Sequence, residues 1–198
     1  MIAKGQLVLF GAMFVVAGAS AQSFTVGAHA DPSPSGAAPV FTITDTSVAG
    51  SWLQPGLSLS IQAPGAVAVY NNVNFQFGPV SRVGNDMGAG SAVYYTNDIN
   101  NPLFSINWQS GFIVEPFLAG ASFFTASGVT FGGSAIAALN PAGWVNQQFT
   151  YSFANPAGIG GPQRTYTASM TSSAVPEPAT MTVLAIGAAL AAARRRRA

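Results

Sequence analysis

The chain has 198 residues, of which only 7% are charged and 49% are hydrophobic, and it contains no cysteine. The lack of cysteine excludes disulfides, thiolate metal ligands and a cysteine nucleophile. Between Lys4 and the arginines at the C-terminal end, two basic residues, Arg82 and Arg164, stand against six acidic residues. Nucleic-acid binding needs a basic surface, so no nucleic-acid partner is expected.

The N-terminus has the three parts of a secretory signal peptide. Lys4 supplies a charged start, an uncharged and largely apolar run covers 7–17, and Ala19 and Ala21 form an Ala-x-Ala site before Gln22. The small alanines suit peptidase pockets that accept only small side chains beside the cut. We therefore predict that residues 1–21 form a helical signal peptide, that signal peptidase removes it, and that the mature chain starts at Gln22.

Residues 22–39 are predicted to form a linker. The stretch 31–36 reads Asp-Pro-Ser-Pro-Ser-Gly, and its two prolines remove backbone donors and fix φ, which excludes a helix. The single histidine of the chain, His29, falls in this linker and is expected to be a solvated loop residue. Without a histidine in the following domain, neither a Ser-His-Asp triad nor a histidine-based zinc site is expected there.

Residues 40–173 are predicted to form a single all-β domain. Apolar and polar residues alternate with a period of two, for example over 57–61, 73–77 and 149–153, as in strands with one buried face. Sequences rich in proline, glycine and asparagine separate these runs and indicate turns. The spacing favours about eight to eleven short strands in an antiparallel β-sandwich with jelly-roll-like order.

No catalytic motif is found in this domain, and we predict no enzyme activity, no cofactor and no metal. A polysaccharide-active enzyme is kept as the least favoured alternative: a glycosidase needs two facing carboxyl groups, but acids in loops are more often ordinary surface residues. The acids available for it are Asp45, Asp86, Asp98 and Glu115. Calcium at the Asn- and Asp-rich loops 84–86 and 97–101 is left open, although the Asp-x-Asp-x-Asp-Gly spacing is absent.

Three tryptophans divide into one predicted core residue and two surface candidates. Trp108 ends a strongly alternating run and is predicted to lie in the core. Trp52 and Trp144 adjoin turns and are the candidates for stacking against a sugar ring. Such a platform would make the domain a carbohydrate-binding module for exported polysaccharide, which is the alternative to a structural or interaction role.

The C-terminal segment, residues 174–198, has three parts in a fixed order. It starts with Val175, Pro176, Glu177 and Pro178, continues with an apolar stretch over 179–193 that is predicted to be a helix, and ends with four arginines and an alanine. The arginines are Arg194, Arg195, Arg196 and Arg197. This order resembles the PEP-CTERM sorting signal of certain Gram-negative bacteria. The resemblance is limited to the tail, 175–198, and implies nothing about residues 40–173.

The resemblance implies an exported protein whose precursor is anchored in the inner membrane before it reaches the cell surface or extracellular space. Exosortase, a membrane-embedded transpeptidase-like enzyme, would process it near Pro-Glu-Pro, and relatives are often associated with extracellular polysaccharide and biofilms. The arginines would keep the C-terminus in the cytoplasm. As a helix, 179–193 spans roughly 22 Å against a hydrocarbon core of about 30 Å, which suits a temporary anchor. For the domain we favour a structural or interaction role.

Overall fold

The computed structural model describes residues 22–30, 41–115 and 122–176, apart from the side chains of 53–56, 122, 123 and 176. These residues form antiparallel β-strands with two short 3-10 helices, which confirms the predicted all-β class. The predicted signal peptide and the predicted helix 179–193 lie outside them. No helix within the described ranges has the length and apolar character needed to cross a membrane.

The described segments contain twelve strands. In chain order they are β1 (Phe24–His29), β2 (Phe41–Thr44), β3 (Ser47–Ala63), β4 (Ala66–Val83), β5 (Asp86–Met87), β6 (Gly90–Tyr95), β7 (Phe104–Trp108), β8 (Ser110–Val114), β9 (Ser122–Ser127), β10 (Thr130–Gly132), β11 (Trp144–Ala157) and β12 (Gln163–Pro176). The 3-10 helices, Ala137–Leu139 and Pro141–Gly143, come between β10 and β11.

The hydrogen-bonded strands form a closed circuit. From β3 the pairing passes through β2, β12, β11, β9, β8 and β5 to β4, and β4 pairs again with β3. A branch of β6, β7 and β10 continues from β4. Both β1 and β2 lie between β3 and β12, with β2 beside residues 163–166 of β12 and β1 beside residues 170–174.

The predicted alternation is confirmed in the long strands. In β4, Val73, Phe75 and Phe77 are buried, whereas Asn74 and Gln76 between them are partly or fully exposed. A strand directs successive side chains to opposite faces, so this pattern gives β4 one core face. Hydrophobic residues from the other strands cover that face, and the core is therefore continuous across the circuit.

Aromatic rings from strands that are not neighbours in the sheet meet in this core. The hydroxyl groups of Tyr94 on β6 and Tyr151 on β11 are 2.8 Å apart and share a buried hydrogen bond. Trp108 on β7 is 3% exposed, which confirms the prediction of a core position, and its ring centroid lies 5.3 Å from that of Phe149 on β11. The core thus joins the β6–β7 branch to β11 of the circuit through aromatic packing.

The prediction of a linker over 22–39 is wrong for Phe24–His29, which form β1 and pair with both β3 and β12. The hydroxyl of Ser172 accepts a hydrogen bond from the Gly27 N–H at 2.9 Å and donates one to the Gly27 carbonyl at 2.8 Å. Only a short stretch of β1 alternates in sequence, and the prolines that indicate a linker follow it. Tertiary pairing, not local pattern, makes this segment a strand.

His29 is also placed differently from the prediction. Its side chain is 4% exposed, so it is buried and not a solvated loop residue. The imidazole lies among aromatic rings, with centroid distances of 5.6 Å to Tyr94 and 6.2 Å to Tyr151. Its Nδ1 is 2.9 Å from the carbonyl oxygen of Ala30. The end of β1 therefore contributes to the same core as β6 and β11.

Candidate functional site

The two arginines of the domain converge on one carboxylate. Arg82 lies near the end of β4, Arg164 near the start of β12, and Glu115 directly follows β8. Arg82 Nη1 donates to Glu115 Oε1, while Arg164 donates from Nε to Oε2 at 2.5 Å and from Nη2 to Oε1 at 3.1 Å. The three side chains are only 9%, 15% and 12% exposed, respectively, so these ion pairs are largely withdrawn from water.

Two further side chains complete this group, which we call the Glu115 cluster: Asp45, Arg82, Glu115, Arg164 and Tyr166. The Tyr166 hydroxyl donates to Glu115 Oε2 at 3.1 Å. Asp45 Oδ1 accepts from both Nη1 and Nη2 of Arg164 at 3.1 Å, but its side chain is 79% exposed. Glu115 is thus the centre of the cluster, and Asp45 is its solvent-facing edge.

Backbone carbonyls hold the two guanidinium groups in place. Arg82 donates to the carbonyls of Thr44, at 3.2 Å, and Gly84, at 2.5 Å. Arg164 donates to the carbonyl of Gly161 at 3.1 Å. The turn that carries Gly161 has positive φ at Gly158 and Gly160, where glycine is the least strained residue. The arginine donors are therefore largely engaged within the protein.

The electrostatics of the cluster favour fixed charges. Burial acts to raise the pKa of Glu115, but the hydrogen bonds and charges of Arg164 and Arg82 outweigh it and lower that pKa below its ordinary value. Hydrogen bonding to Glu115 raises the pKa of Arg164. Burial, followed by the charge of Glu115, raises the pKa of Tyr166 to about 12. At neutral pH, Glu115 is ionised and has no proton to donate as a general acid.

The cluster lines a cleft of about 490 Å³. The remaining lining residues are Asn85, Val114, Ile159, Gly160 and Gly161. Its size is within the range of small-molecule sites, but such sites combine an apolar wall with polar groups that are free to bind. Here the strongest polar groups bind one another. The arrangement is best described as an ionic clamp between β4, β12 and the end of β8.

The four predicted carboxylates separate into two groups. Glu115 and Asp45 come together through Arg164, whereas Asp86 is exposed on β5 and Asp98 is exposed in the loop after β6. Asp98 Oδ1 accepts a hydrogen bond from the Asn100 N–H at 2.9 Å, as in an ordinary turn. Within the described ranges, no three His, Asp or Glu side chains are grouped in a way that would hold a metal ion.

The two tryptophan candidates for sugar stacking lie in different surroundings. Trp52 is 8% exposed and belongs to the core, because it lies on β3 opposite the buried Phe75 of β4. Trp144 is half-buried at the start of β11. Its ring meets that of Phe24 on β1 edge-on, at 5.1 Å and 89°. Burial leaves Trp52 without an open face for a sugar.

Sequence reasoning did not single out Arg82, Arg164 or Tyr166 as site residues. A signal was nevertheless present, because a domain with only two basic residues has few partners available for its acids. A buried carboxylate requires such a partner. The convergence of β4 and β12 on Glu115 depends on the topology, which the alternating pattern does not specify.

The described residues include only the beginning of the predicted sorting motif. Val175 and Pro176 form the end of β12, opposite Val145 and Trp144 of β11. Gln22 is exposed at the start of the described residues. Ala19, Ala21, Glu177, Pro178 and Arg194 to Arg197 lie outside them.

Comparison with known proteins gives one match. Residues 174–197 match the PEP-CTERM protein-sorting motif, which confirms the resemblance of the tail. No curated protein and no solved structure is significantly similar to the chain. The match covers the tail and leaves the β domain without a relative of known role. The chain therefore carries at its C-terminal end the motif that directs exported proteins to exosortase-dependent sorting.

Proposed function

We propose that this chain is a structural or interaction protein of the cell surface or extracellular matrix, which exosortase sorts through its tail. The observation that carries the sorting part is the motif match at 174–197. The sequence in front of the domain supports export, because Lys4, the apolar run 7–17 and the Ala-x-Ala site have the order of a signal peptide. Signal peptidase and exosortase are then the two processing partners.

The proposed topology follows from the cost of moving charge through a bilayer. The signal peptide would deliver the domain across the inner membrane, and transfer would stop when 179–193 enters the bilayer. Each of the four following arginines costs about 2.5–3.5 kcal/mol at the bilayer centre, so they stay on the cytoplasmic side. Pro176, Glu177 and Pro178 would then lie at the outer face, where proline favours an extended backbone.

For the domain, the non-catalytic role is supported by the ion pairs that engage its buried carboxylate. Glu115, the acid with the lowest exposure in the cleft, is ionised and engaged by Arg82, Arg164 and Tyr166. An inverting or retaining glycosidase needs one carboxylic acid that keeps its proton near neutral pH. A lowered pKa at Glu115 is the opposite of that requirement.

The sorting proposal is tested with full-length protein in a host that carries exosortase. Replacing Pro176, Glu177 and Pro178 together with alanine should leave an unprocessed precursor in the inner membrane. Replacing Arg194 to Arg197 with serine should let the tail pass through and yield unprocessed soluble protein. Fractionation followed by mass spectrometry of the C-terminal peptide measures both outcomes.

Two controls separate sorting from general membrane anchoring. Replacing Arg194 to Arg197 with lysine keeps the charge, so this variant should mature like the wild type. Wild-type protein in a strain without exosortase should remain unprocessed. If the alanine and serine variants both mature and localise normally, the sorting proposal is wrong.

A further inference from the structure

The sorting motif begins inside the folded sheet. Val175 lies opposite Val145, and Pro176 lies opposite Trp144, in the antiparallel pair of β12 and β11. On the other side of β12, Ala174 lies opposite Phe24 of β1. The last described residues of β12 are therefore held by one neighbouring strand, and the residue just before them is flanked by a second. No linker separates the domain from the start of the motif.

Side-chain packing reinforces this pairing. Ala174 lies opposite Phe24, and directly opposite residues of an antiparallel pair share one face of the sheet. The rings of Phe24 and Trp144, which come from the strands on either side of β12, meet edge-on at 5.1 Å. Ala174 between them is 0% exposed. The ring pair therefore links the two strands that flank β12 near its end.

Building on the proposed function, we propose that the end of β12 must detach from β11 before exosortase can process the motif, so that the folded domain limits the rate of its own sorting. Enzymes that cut or transfer peptides commonly bind an extended substrate through its backbone N–H and C=O groups. In the folded domain, Val175 is instead paired with Val145 of β11 in the sheet. Strand ends open locally at much lower cost than global unfolding, which makes such a step feasible.

A disulfide lock tests this proposal directly. The chain contains no cysteine, so Val145→Cys with Val175→Cys introduces the only possible intramolecular disulfide. Opposite residues of an antiparallel pair have Cα atoms about 4.5–5.5 Å apart, within the span of a disulfide. In an exosortase-carrying host, the oxidised double variant should accumulate as full-length precursor, and addition of dithiothreitol should restore processing. Each single variant should be processed like the wild type.

A second set of variants loosens the strand end. Trp144→Ala removes the ring contact with Phe24 and should speed processing by about two- to tenfold, the effect of losing one aromatic pair. A Gly-Ser-Gly-Ser insertion between Val175 and Pro176 separates Pro-Glu-Pro from the sheet. It should restore processing to the oxidised double variant, which shows that the lock and not the altered Val175 causes the block.

The outcomes distinguish this proposal from the proposed function. If wild-type protein is processed and the oxidised variant, verified by thiol labelling, is processed at the same rate, strand detachment is not required and the proposal is overturned. The same holds if neither Trp144→Ala nor the insertion changes any rate. If wild-type protein is not processed even in the presence of exosortase, the proposed function fails first, and this proposal falls with it.

Discussion

The aromatic core and the Glu115 cluster both join parts of the chain that are not neighbours in the sheet, but they do so by different physical means. In the core, many rings share the contacts, and one buried hydrogen bond links two neutral hydroxyls, those of Tyr94 and Tyr151. In the cluster, one carboxylate receives donors from Arg82, Arg164 and Tyr166. The loss at a core position therefore depends on the cavity that a change leaves among the rings, whereas the hydrogen bonds from Arg82, Arg164 and Tyr166 all depend on Glu115.

The largest loss of stability is expected in the core. Phe41 is fully buried, and its ring contacts four others with centroid distances of 4.9–5.7 Å, namely Phe75, Phe77, Tyr151 and Phe153. Phe41→Ala should lower the free energy of unfolding by about 3–5 kcal/mol, because it leaves a cavity among these rings. Urea unfolding of residues 22–176 measures this free energy of unfolding. Val67→Ala, at a side chain that is 79% exposed, should change it by less than about 0.5 kcal/mol.

The centre of the cluster should come next. Glu115→Gln keeps the shape of the side chain but leaves Arg82 and Arg164 without their shared anion, and should cost about 2–4 kcal/mol. Asp45→Asn is the matched control at the same cluster. Because the Asp45 side chain is 79% exposed, its loss should cost no more than about 1 kcal/mol. Equal effects of the two changes would contradict a cluster centred on Glu115.

The stability difference between the wild type and Glu115→Gln should also depend on pH. The pKa of Glu115 is lowered in the folded state, so its contribution is present above the unfolded value of about 4.3 and is lost as pH falls through the folded value. The stability difference between the wild type and Glu115→Gln should therefore shrink on acidification below about pH 4. Unfolding curves across this range test it, and a difference that stays constant to low pH would count against an ionised Glu115.

The smallest effect is expected for the neutral pair in the core. Tyr94→Phe leaves the hydroxyl of Tyr151 buried without its partner and should cost about 1–3 kcal/mol. Adding Tyr151→Phe removes the hydroxyl that lacks a partner in the single variant, so the double variant should recover most of the lost stability. A double-mutant cycle from urea unfolding gives the coupling. A double variant that is less stable than either single variant would mean that the hydroxyls are held by other contacts.

Alkaline titration sharpens the same comparison. Burial raises the pKa of Tyr94 and of Tyr151 above the ordinary value. A folded-state pKa above the unfolded value of about 10 means that stability is retained below that pH and is lost as pH rises beyond it. Absorbance of phenolate should therefore appear for these two tyrosines only when the domain unfolds, and absorbance at their positions while the domain is still folded would contradict their burial.

The sequence was most informative where the physical signal is local. Alternation at Val73, Phe75 and Phe77 correctly predicted strands, because a pleated strand sorts its residues by period alone. β1 was missed because its pairing with β12 is specified by residues far along the chain, such as Ser172. Trp52 was misplaced because a turn nearby in sequence says little about which face a strand buries.

Only part of the candidate site could be predicted from the sequence. The sorting motif is contiguous, so it could be read directly from the sequence, and the match at 174–197 confirms the resemblance of the tail. Glu115 and Asp45 were noted as acids, but their meeting through Arg164 requires β12 to lie near the end of β8. Nothing in the order of residues fixes that approach. Clusters assembled by topology remain beyond a single sequence, even when every member is visible in it.

The pairing of β1 with β12 also sets the order in which the protein can fold. The hydrogen bond from the Gly27 N–H to Ser172 spans 145 residues of sequence, from the first described strand to the last. Contacts of such high sequence separation form slowly, because a long loop must close before they are gained. A chain that emerges from its N-terminus during export cannot complete β1 until β12 has also crossed. On the proposed export route, the domain would therefore complete its fold only after β12 has been translocated.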